Sequence, residues 1–315
     1  MYRKSLIQIL TILGLLVSIL ACSRSPSANQ AHAGKLQVLA TTTIVSDVVK
    51  HIGDDRIELG TFLPVGVDPH TFEPAPQDVA RIANADVILA NGVGLEAFLG
   101  TVLESAGATD KVFYISEGIT LLKSSAELTN QTQGQADVHS AGDPHVWTDP
   151  NNVKIWVRNI TQKLSALDPA NAQTYQANAQ SYDHELDNLD AWIRQQVRLI
   201  PPQNRKIVAD HVEFTYFADE YGFTQVGAII PGYSTVTEPT AQDIARLEDA
   251  IRGMGVKAIF VGNTFNPSLA NRVAEDTGIK LVFIYHASLS EPNGPAASYL
   301  DYIRYNVTAI VSALK

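Results

Sequence analysis

The chain has 315 residues, which exceeds one average domain and predicts two domains with well-filled cores. Hydrophobic residues make up 45% and charged residues 18% of the sequence, a globular composition that excludes extensive disorder and a small disulfide scaffold. The 23 basic and 33 acidic side chains give a net charge of −10, which argues against a nucleic-acid-binding surface because such a surface needs clustered positive charge.

The N-terminal segment has the pattern of an export signal. A short basic start precedes an apolar run over residues 6–20, which is too short for a comfortable membrane span of about 20 apolar residues. The run ends in Leu-Ala-Cys at Cys22, which resembles the lipobox of bacterial lipoproteins, although Leu20 is bulkier than the usual occupant. Because Cys22 is the only cysteine, it cannot form an internal disulfide. We expect a signal peptide over 1–21 and a lipidated tether over 22–35.

From residue 36 onward, short β-rich runs alternate with amphipathic helices, which is typical of parallel α/β sheets. In the first half, the pattern predicts strands at 36–43, 56–65, 86–91 and 112–115, and helices at 44–53, 77–83, 95–106 and 151–167. The polar stretch 124–143 has no periodicity and predicts a surface loop. After a long helical pattern over 169–200, the second half predicts strands at 206–210, 224–230, 256–261 and 281–285, and helices at 214–221, 241–253, 267–277 and 299–314.

The predicted fold class is therefore α/β, with two lobes that are each a parallel-sheet α/β unit and are joined by one long linking helix. We place the N-terminal lobe at 36–168, the linking helix at 169–202 and the C-terminal lobe at 203–315. A helix of about 30 residues spans about 45 Å, enough to run along two small lobes. Because ligands of open α/β sheets bind outside the carboxyl ends of the strands, we expect a site in a cleft between the lobes.

Three of the eight histidines lie in contexts that suit a metal site. His70 and His145 each end an Asp-Pro-His tripeptide in a loop made rigid by proline, and His211 follows a short apolar strand. Imidazole nitrogens suit zinc and other late transition metals. Short metal-binding spacings such as His-x-His and Cys-x-x-Cys are absent from the sequence, so each histidine alone could equally be a hydrogen-bonded loop residue.

Six motifs in order, which span nearly the whole chain after the leader, carry a family resemblance: 38–44, 64–74, 86–91, 143–147, 238–243 and 292–306. Together they resemble the metal-binding solute-binding proteins of bacterial ABC importers, the zinc and manganese group also called cluster A-I. The resemblance implies two α/β lobes, one divalent ion between them and delivery of that ion to a membrane permease. By position it implies that His70, His145 and His211 are ligands. Manganese members usually have Glu in place of His211, so the histidine points to Zn²⁺ with Mn²⁺ as the alternative.

The fourth ligand is left open by this resemblance. The family commonly has Asp in a segment like Tyr-x-Asp-Ser-Leu, but Ala287 stands at that position here and cannot bind a metal. A water, the neighbouring His286 or another acid could take its place, although neighbouring residues on a strand point to opposite faces. Asp68, Glu73 and Asp143 are expected to orient the ligand loops rather than to bind the ion.

The sequence thus predicts an extracytoplasmic, lipid-anchored, monomeric binding protein that captures Zn²⁺ for an ABC importer and is not an enzyme. The alternatives are a manganese-selective member of the same family, a lipid-anchored zinc hydrolase and a metal-dependent surface adhesin. Three histidines with an open position also describe catalytic zinc. However, the sequence contains neither a His-Glu-x-x-His helix nor a Gly-x-Ser-x-Gly elbow. An adhesin would require an exposed apolar patch.

Overall fold

Two parallel four-stranded sheets organise residues 34–123 and 142–315, the part of the chain that the computed structural model describes. The first sheet has the order β2-β1-β3-β4 and consists of β1 (Leu36–Ala40), β2 (Ile57–Thr61), β3 (Val87–Ala90) and β4 (Val112–Tyr114). The second repeats this order as β6-β5-β7-β8, with β5 (Lys206–Ala209), β6 (Thr224–Ala228), β7 (Ala258–Gly262) and β8 (Lys280–Ile284). The prediction of two parallel α/β units is confirmed.

Helices connect and cover these strands. The first half contains α1 (Thr43–Gly53), α2 (Pro76–Asn84), α3 (Leu99–Ala106) and α4 (Pro150–Leu167). The second half follows α5 (Ala172–Val197) and contains α6 (Thr215–Tyr221), α7 (Ala241–Met254), α8 (Ser268–Thr277) and α9 (Tyr299–Leu314). Within the described ranges, none of these helices combines the length and the apolarity needed to cross a membrane. Cys22, the predicted leader and residues 124–141 of the predicted loop lie outside the described residues.

Local sequence signals set where several helices begin. The Thr42 side chain accepts the backbone N–H of Val45 at the start of α1, and Ser298 caps α9 in the same way. Thr240 and Asp243 form the predicted capping box at the start of α7. Proline occupies the first turn of α2 and α4, where its missing N–H removes no helical hydrogen bond.

Helix α5 lies at the centre of the main hydrophobic core. The predicted helix over 169–200 is shorter in the structure, because the segment Pro169–Asn171 forms a separate 3₁₀ turn before α5 begins. Its buried side chains Tyr182 and Leu186 belong to one hydrophobic cluster that also includes Val38 of β1 and Phe260 of β7. The helix packs against both α1 and α9. It therefore contacts both sheet units, and the lobe boundaries at 36–168, 169–202 and 203–315 stay a prediction.

Hydrogen bonds also join the loops of the two sheet units. Ser288, after β8, accepts the backbone N–H of Gly66 at 2.8 Å, and Thr43 accepts the N–H of Leu289 at 2.9 Å. The indole N–H of Trp147 donates to Tyr302 of α9 at 3.2 Å. These contacts lie at the carboxyl ends of the strands, which is where the candidate ligand loops meet.

We expect Leu186→Ala to lower the free energy of unfolding by about 2–5 kcal/mol, because it opens a cavity where α5 meets the core. Leu186 is fully buried in this cluster. Asn188→Ala, on the exposed face of the same helix, is the control and should change stability by less than about 0.5 kcal/mol. Denaturant unfolding monitored by circular dichroism measures both values. Equal stabilities of the two variants would contradict the role assigned to α5.

Candidate metal centre

The three predicted histidines converge in the folded chain. His70 lies in the loop after β2, His145 immediately before a 3₁₀ turn at Val146–Thr148, and His211 in the loop after β5. The Nε2 atom of His145 is 3.2 Å from Nε2 of His70 and 3.1 Å from Nε2 of His211. All three side chains are buried. The structure therefore brings together three imidazoles that are separated by tens of residues in the sequence.

The repeated Asp-Pro-His tripeptide forms the same local turn twice. Asp68 Oδ1 accepts the backbone N–H of His70 at 2.9 Å, and Asp143 Oδ1 accepts the backbone N–H of His145 at 2.9 Å. An aspartate that bonds to the backbone two residues later fixes the turn without help from regular secondary structure. Asp68 and Asp143 thus make the loop contacts expected of orienting residues, and their role at a metal site stays a prediction. By contrast, Glu73 is exposed, and we find no such contact for it among the described residues.

Two carboxylates set the protonation of two imidazoles. His145 Nδ1 lies 2.7 Å from Asp143 Oδ1, and His211 Nδ1 lies 2.6 Å from Asp210 Oδ1. An ionised carboxylate only accepts hydrogen bonds, so we assign the N–H of each neutral imidazole to Nδ1. The Nε2 atoms of His145 and His211 then face each other with lone pairs, which repel unless a cation lies between them. This is the arrangement of metal-binding histidines that a second group orients.

The spacing of the nitrogens also fits a metal ion. Two nitrogens bound to one tetrahedral zinc at about 2.0–2.1 Å are about 3.3 Å apart. The observed Nε2 separations of 3.1 and 3.2 Å are close to that value. Three converging imidazole nitrogens thus form a nitrogen-rich donor set that suits a late transition metal.

Asp210 is held as a fixed anion beneath this cluster. Its second oxygen, Oδ2, accepts the backbone N–H of Gly262 in β7 at 2.6 Å. Burial by itself raises the pKa of Asp210. The hydrogen bond from His211 and the positive charge of His286 outweigh burial and lower the pKa to about 2. At Asp143, burial raises the pKa to about 6. Both carboxylates are therefore ionised at neutral pH.

A second group of buried side chains adjoins the histidines. Asp210, His211, Glu213 and His286 each offer a ligand atom, and these atoms lie within 4.8 Å of one another. The His286 ring centroid is 4.4 Å from that of His211, and its Nε2 is 2.5 Å from Glu213 Oε2. Ala287, in contrast, lies in the hydrophobic core.

The charge of His286 depends on its carboxylate neighbours. Burial lowers the pKa of His286, but the close Glu213 and the nearby Asp210 outweigh burial and raise the pKa to about 9. Burial also raises the pKa of Glu213, opposed by His286. The two groups form a buried pair at the edge of the histidine cluster.

Glu213 lies outside every motif that predicted the site. The signal in the sequence was an acid two residues after His211, within an otherwise apolar and aromatic stretch. Acids are seldom fully buried unless they are paired, but only the fold reveals that this one is buried. Its partner, His286, follows β8 and is 73 positions away in the chain.

Comparisons with known proteins identify the family of this chain. Residues 38–313 match the family model described as zinc-uptake complex component A, periplasmic. The manganese ABC transporter substrate-binding lipoprotein PsaA of Streptococcus mitis is 32% identical over 312 residues, covering 97% of each chain. The periplasmic zinc-binding protein TroA of Treponema pallidum superposes with a TM-score of 0.79 at 27% identity, covering 89% of this chain and 99% of that chain.

A second solved structure is equally similar in fold. The manganese-bound periplasmic metal-binding protein of Candidatus Liberibacter asiaticus has a TM-score of 0.76 at 28% identity, covering 89% of this chain and all of that chain. The matching family model spans nearly all described residues and both sheets. This chain therefore belongs to the family of zinc-uptake complex component A, the periplasmic metal-binding proteins of ABC importers.

Proposed function

We propose that this protein captures Zn²⁺ outside the cytoplasm with His70, His145 and His211 and delivers it to the permease of an ABC importer. The observation that carries the proposal is the convergence of three buried Nε2 atoms, with the Nδ1 atoms of His145 and His211 held by carboxylates. Members of the family are substrate-binding proteins and not enzymes, which excludes the hydrolase alternative. The ion is thus cargo that the site must both bind and release.

The donor set favours zinc over manganese. Manganese prefers carboxylate, carbonyl and water oxygens, whereas imidazole nitrogens suit zinc. The relatives do not decide the metal, because PsaA is named a manganese protein and TroA a zinc protein. Three converging imidazoles support Zn²⁺ as the cargo, with Mn²⁺ as the second candidate.

Capture joins loops from both sheet units. His70 and His145 belong to the first half of the chain and His211 to the second. Around them, Asp68 accepts a hydrogen bond from Thr235 in the loop after β6, and Ser288 accepts one from Gly66. Release requires these contacts to part, so we propose that the permease frees the ion by separating the loops of the two units.

The membrane anchor is a separate part of the proposal. We propose that Cys22 is lipidated and holds a monomeric binding protein at the outer face of the cytoplasmic membrane, close to the permease. The lipobox-like sequence at Cys22 and the lipoprotein names of the relatives support this assignment. Intact-mass measurement of detergent-extracted protein, beside Cys22→Ser, tests it.

We expect one Zn²⁺ per chain and a loss of affinity of more than about 100-fold in His145→Ala and in His211→Ala, because each change removes a direct ligand. His184→Ala, an exposed histidine on α5, is the matched control and should leave affinity unchanged. Competitive Zn²⁺ and Mn²⁺ titrations with a chromophoric chelator measure the constants. Preference of the unmodified protein for Mn²⁺ would overturn the choice of zinc, and wild-type affinity in His211→Ala would overturn the site.

Asp143→Asn should weaken zinc binding by about 10–100-fold, the usual cost of losing a carboxylate that orients a ligating histidine. The amide can donate to Nδ1 of His145 and so favour the tautomer with its proton on Nε2. Asp149→Asn is the control, since it changes another buried aspartate, which caps α4 through the backbone N–H of Asn151. Equal zinc affinities in the two variants would contradict the tautomer argument.

Zinc affinity should fall as the pH drops through about 6.5, because protons compete with the metal for the ligating imidazoles. Protonation of Asp143, whose pKa is about 6, acts in the same direction because it removes the negative charge that holds the Nδ1 proton of His145. Isothermal titration between pH 8 and pH 5, corrected with a reference chelator, measures the slope. Constant affinity over this range would contradict ligation by histidine.

A further inference from the structure

Three histidines leave a tetrahedral zinc site one donor short. Ala287, which stands where the family pattern has a carboxylate, is 3% exposed and lies in the hydrophobic core. It has no atom that binds a metal. The fourth position is therefore filled either by water or by another residue of the chain.

Two of the buried carboxylates nearby are already committed to orienting the histidines. Asp143 Oδ1 is bound to Nδ1 of His145, and both oxygens of Asp210 are bound, to His211 and to Gly262. A carboxylate at Nδ1 lies on the side of the ring away from Nε2. Neither Asp143 nor Asp210 can thus reach an ion held by the Nε2 atoms without giving up its histidine.

Glu213 is paired instead with His286, which lies outside the three-histidine group. Glu213 is 1% exposed, and its Oε1 atom is buried with no hydrogen-bond partner among the residues that the structure describes. Its other oxygen, Oε2, contacts His286 Nε2 at 2.5 Å. A buried carboxylate with a free oxygen is costly unless a positive charge or a donor completes its coordination.

We propose that Glu213 supplies the fourth, oxygen ligand of the captured ion and that His286 positions its carboxylate. This assignment rests on the proposed function, since it completes the same three-histidine site. Glu213 is two residues after His211, and its ligand atom lies within 4.8 Å of those of His211 and His286, whereas the group formed by His70, His145 and His211 does not include it. Binding of the ion would therefore draw the free Glu213 oxygen toward His70 and His145. One oxygen faces its positioning partner and the other is free, as in a carboxylate that binds a metal while a neighbour holds it in place.

Contacts with Asn263 and Gly262 hold His286 beside Glu213. The backbone N–H of His286 donates to Asn263 Oδ1 at 3.0 Å. Its ring packs directly on the backbone of Gly262, where an added Cβ would lie 2.3 Å from His286 Cβ and 3.2 Å from Asp210 Oδ2. Any larger residue at 262 would therefore clash with the His286 side chain and make a tight contact with Asp210.

An oxygen ligand has a different effect on the two candidate metals. Mn²⁺ depends on oxygen donors more than Zn²⁺ does, so the loss of one carboxylate should weaken Mn²⁺ binding more. A residue that only stabilises the fold would instead leave the ratio of the two affinities unchanged. This ratio separates a ligand from a structural residue.

The test compares Zn²⁺ and Mn²⁺ affinities of the full mature chain with those of Glu213→Gln and of Glu96→Gln. Glu96 is the matched control because it is also a buried glutamate, and its hydrogen bonds come from Thr41, Asn91 and Gly92 and not from a histidine. We expect Glu213→Gln to lose about 10–100-fold in Zn²⁺ affinity, with a larger loss for Mn²⁺. Co²⁺ loaded into the site should show an altered visible spectrum in Glu213→Gln and an unaltered one in Glu96→Gln.

Wild-type affinities, or equal losses for both metals, in folded Glu213→Gln would overturn the assignment. A crystal structure of the zinc-loaded unmodified protein decides the matter even if Glu213→Gln fails to fold. A Glu213 oxygen at about 2.0–2.2 Å from the ion supports the proposal, and a water in that place overturns it. His211→Ala is measured in parallel to separate two failures. If only the Glu213 assignment is wrong, His211→Ala loses zinc and Glu213→Gln keeps it. If the three-histidine site is wrong, His211→Ala keeps zinc as well.

Discussion

The candidate metal centre depends on two carboxylate–imidazole hydrogen bonds, Asp143 to His145 and Asp210 to His211. Each fixes the tautomer of its histidine and directs one lone pair into the centre of the cluster. Without them, buried imidazoles at separations of 3.1 Å would relieve their contact by sharing a proton or rotating apart. The remaining contacts of the site maintain these two bonds: the Asp-Pro-His turn holds Asp143, and the backbone of β7 holds Asp210.

The fold supplies the rigidity that such a cluster requires. Four carboxylate or imidazole groups with essentially no exposure lie side by side, and their desolvation opposes folding. The opposing free energy comes from the hydrophobic cluster around α5, which extends from β1 to β7. An apolar core thus holds the polar groups of the site in place, and a bound metal would stabilise the folded state by an amount that rises with the logarithm of its concentration relative to Kd.

Much of this arrangement could be predicted from the sequence. Alternating apolar runs predicted both parallel sheets, and the repeated Asp-Pro-His tripeptide marked His70 and His145. Helix α3 begins at Leu99 rather than at the predicted residue 95, because positive φ angles at Gly92, Val93 and Gly94 form a turn there. A propensity pattern does not contain this backbone conformation.

The pairing of Glu213 with His286 was beyond sequence reasoning for a different reason. Neither residue has a local motif, and their contact depends on how the loop after β5 faces the loop after β8. The absence of a side-chain ligand at Ala287 was visible in the sequence. The residue that takes its place depends on tertiary packing. Part of that packing is Gly262, whose lack of a Cβ leaves room for the His286 side chain.

The origin of the donors links binding to closure. His70 and His145 come from loops around the first sheet, whereas His211 and Glu213, the proposed fourth ligand, come from the loop after β5 in the second. An ion can shift an equilibrium between open and closed forms only through its different affinity for the two, and separation of the units would take His70 and His145 away from His211. The direct contacts between the units at Ser288 and Thr43 are hydrogen bonds of neutral groups, each worth about 0.5–1.5 kcal/mol. They bias closure weakly, and a bound ion would add metal–ligand bonds from both units to these contacts. In the proposed mechanism, a permease that separates the loops would lower affinity by removing donors, with no chemical change at the site.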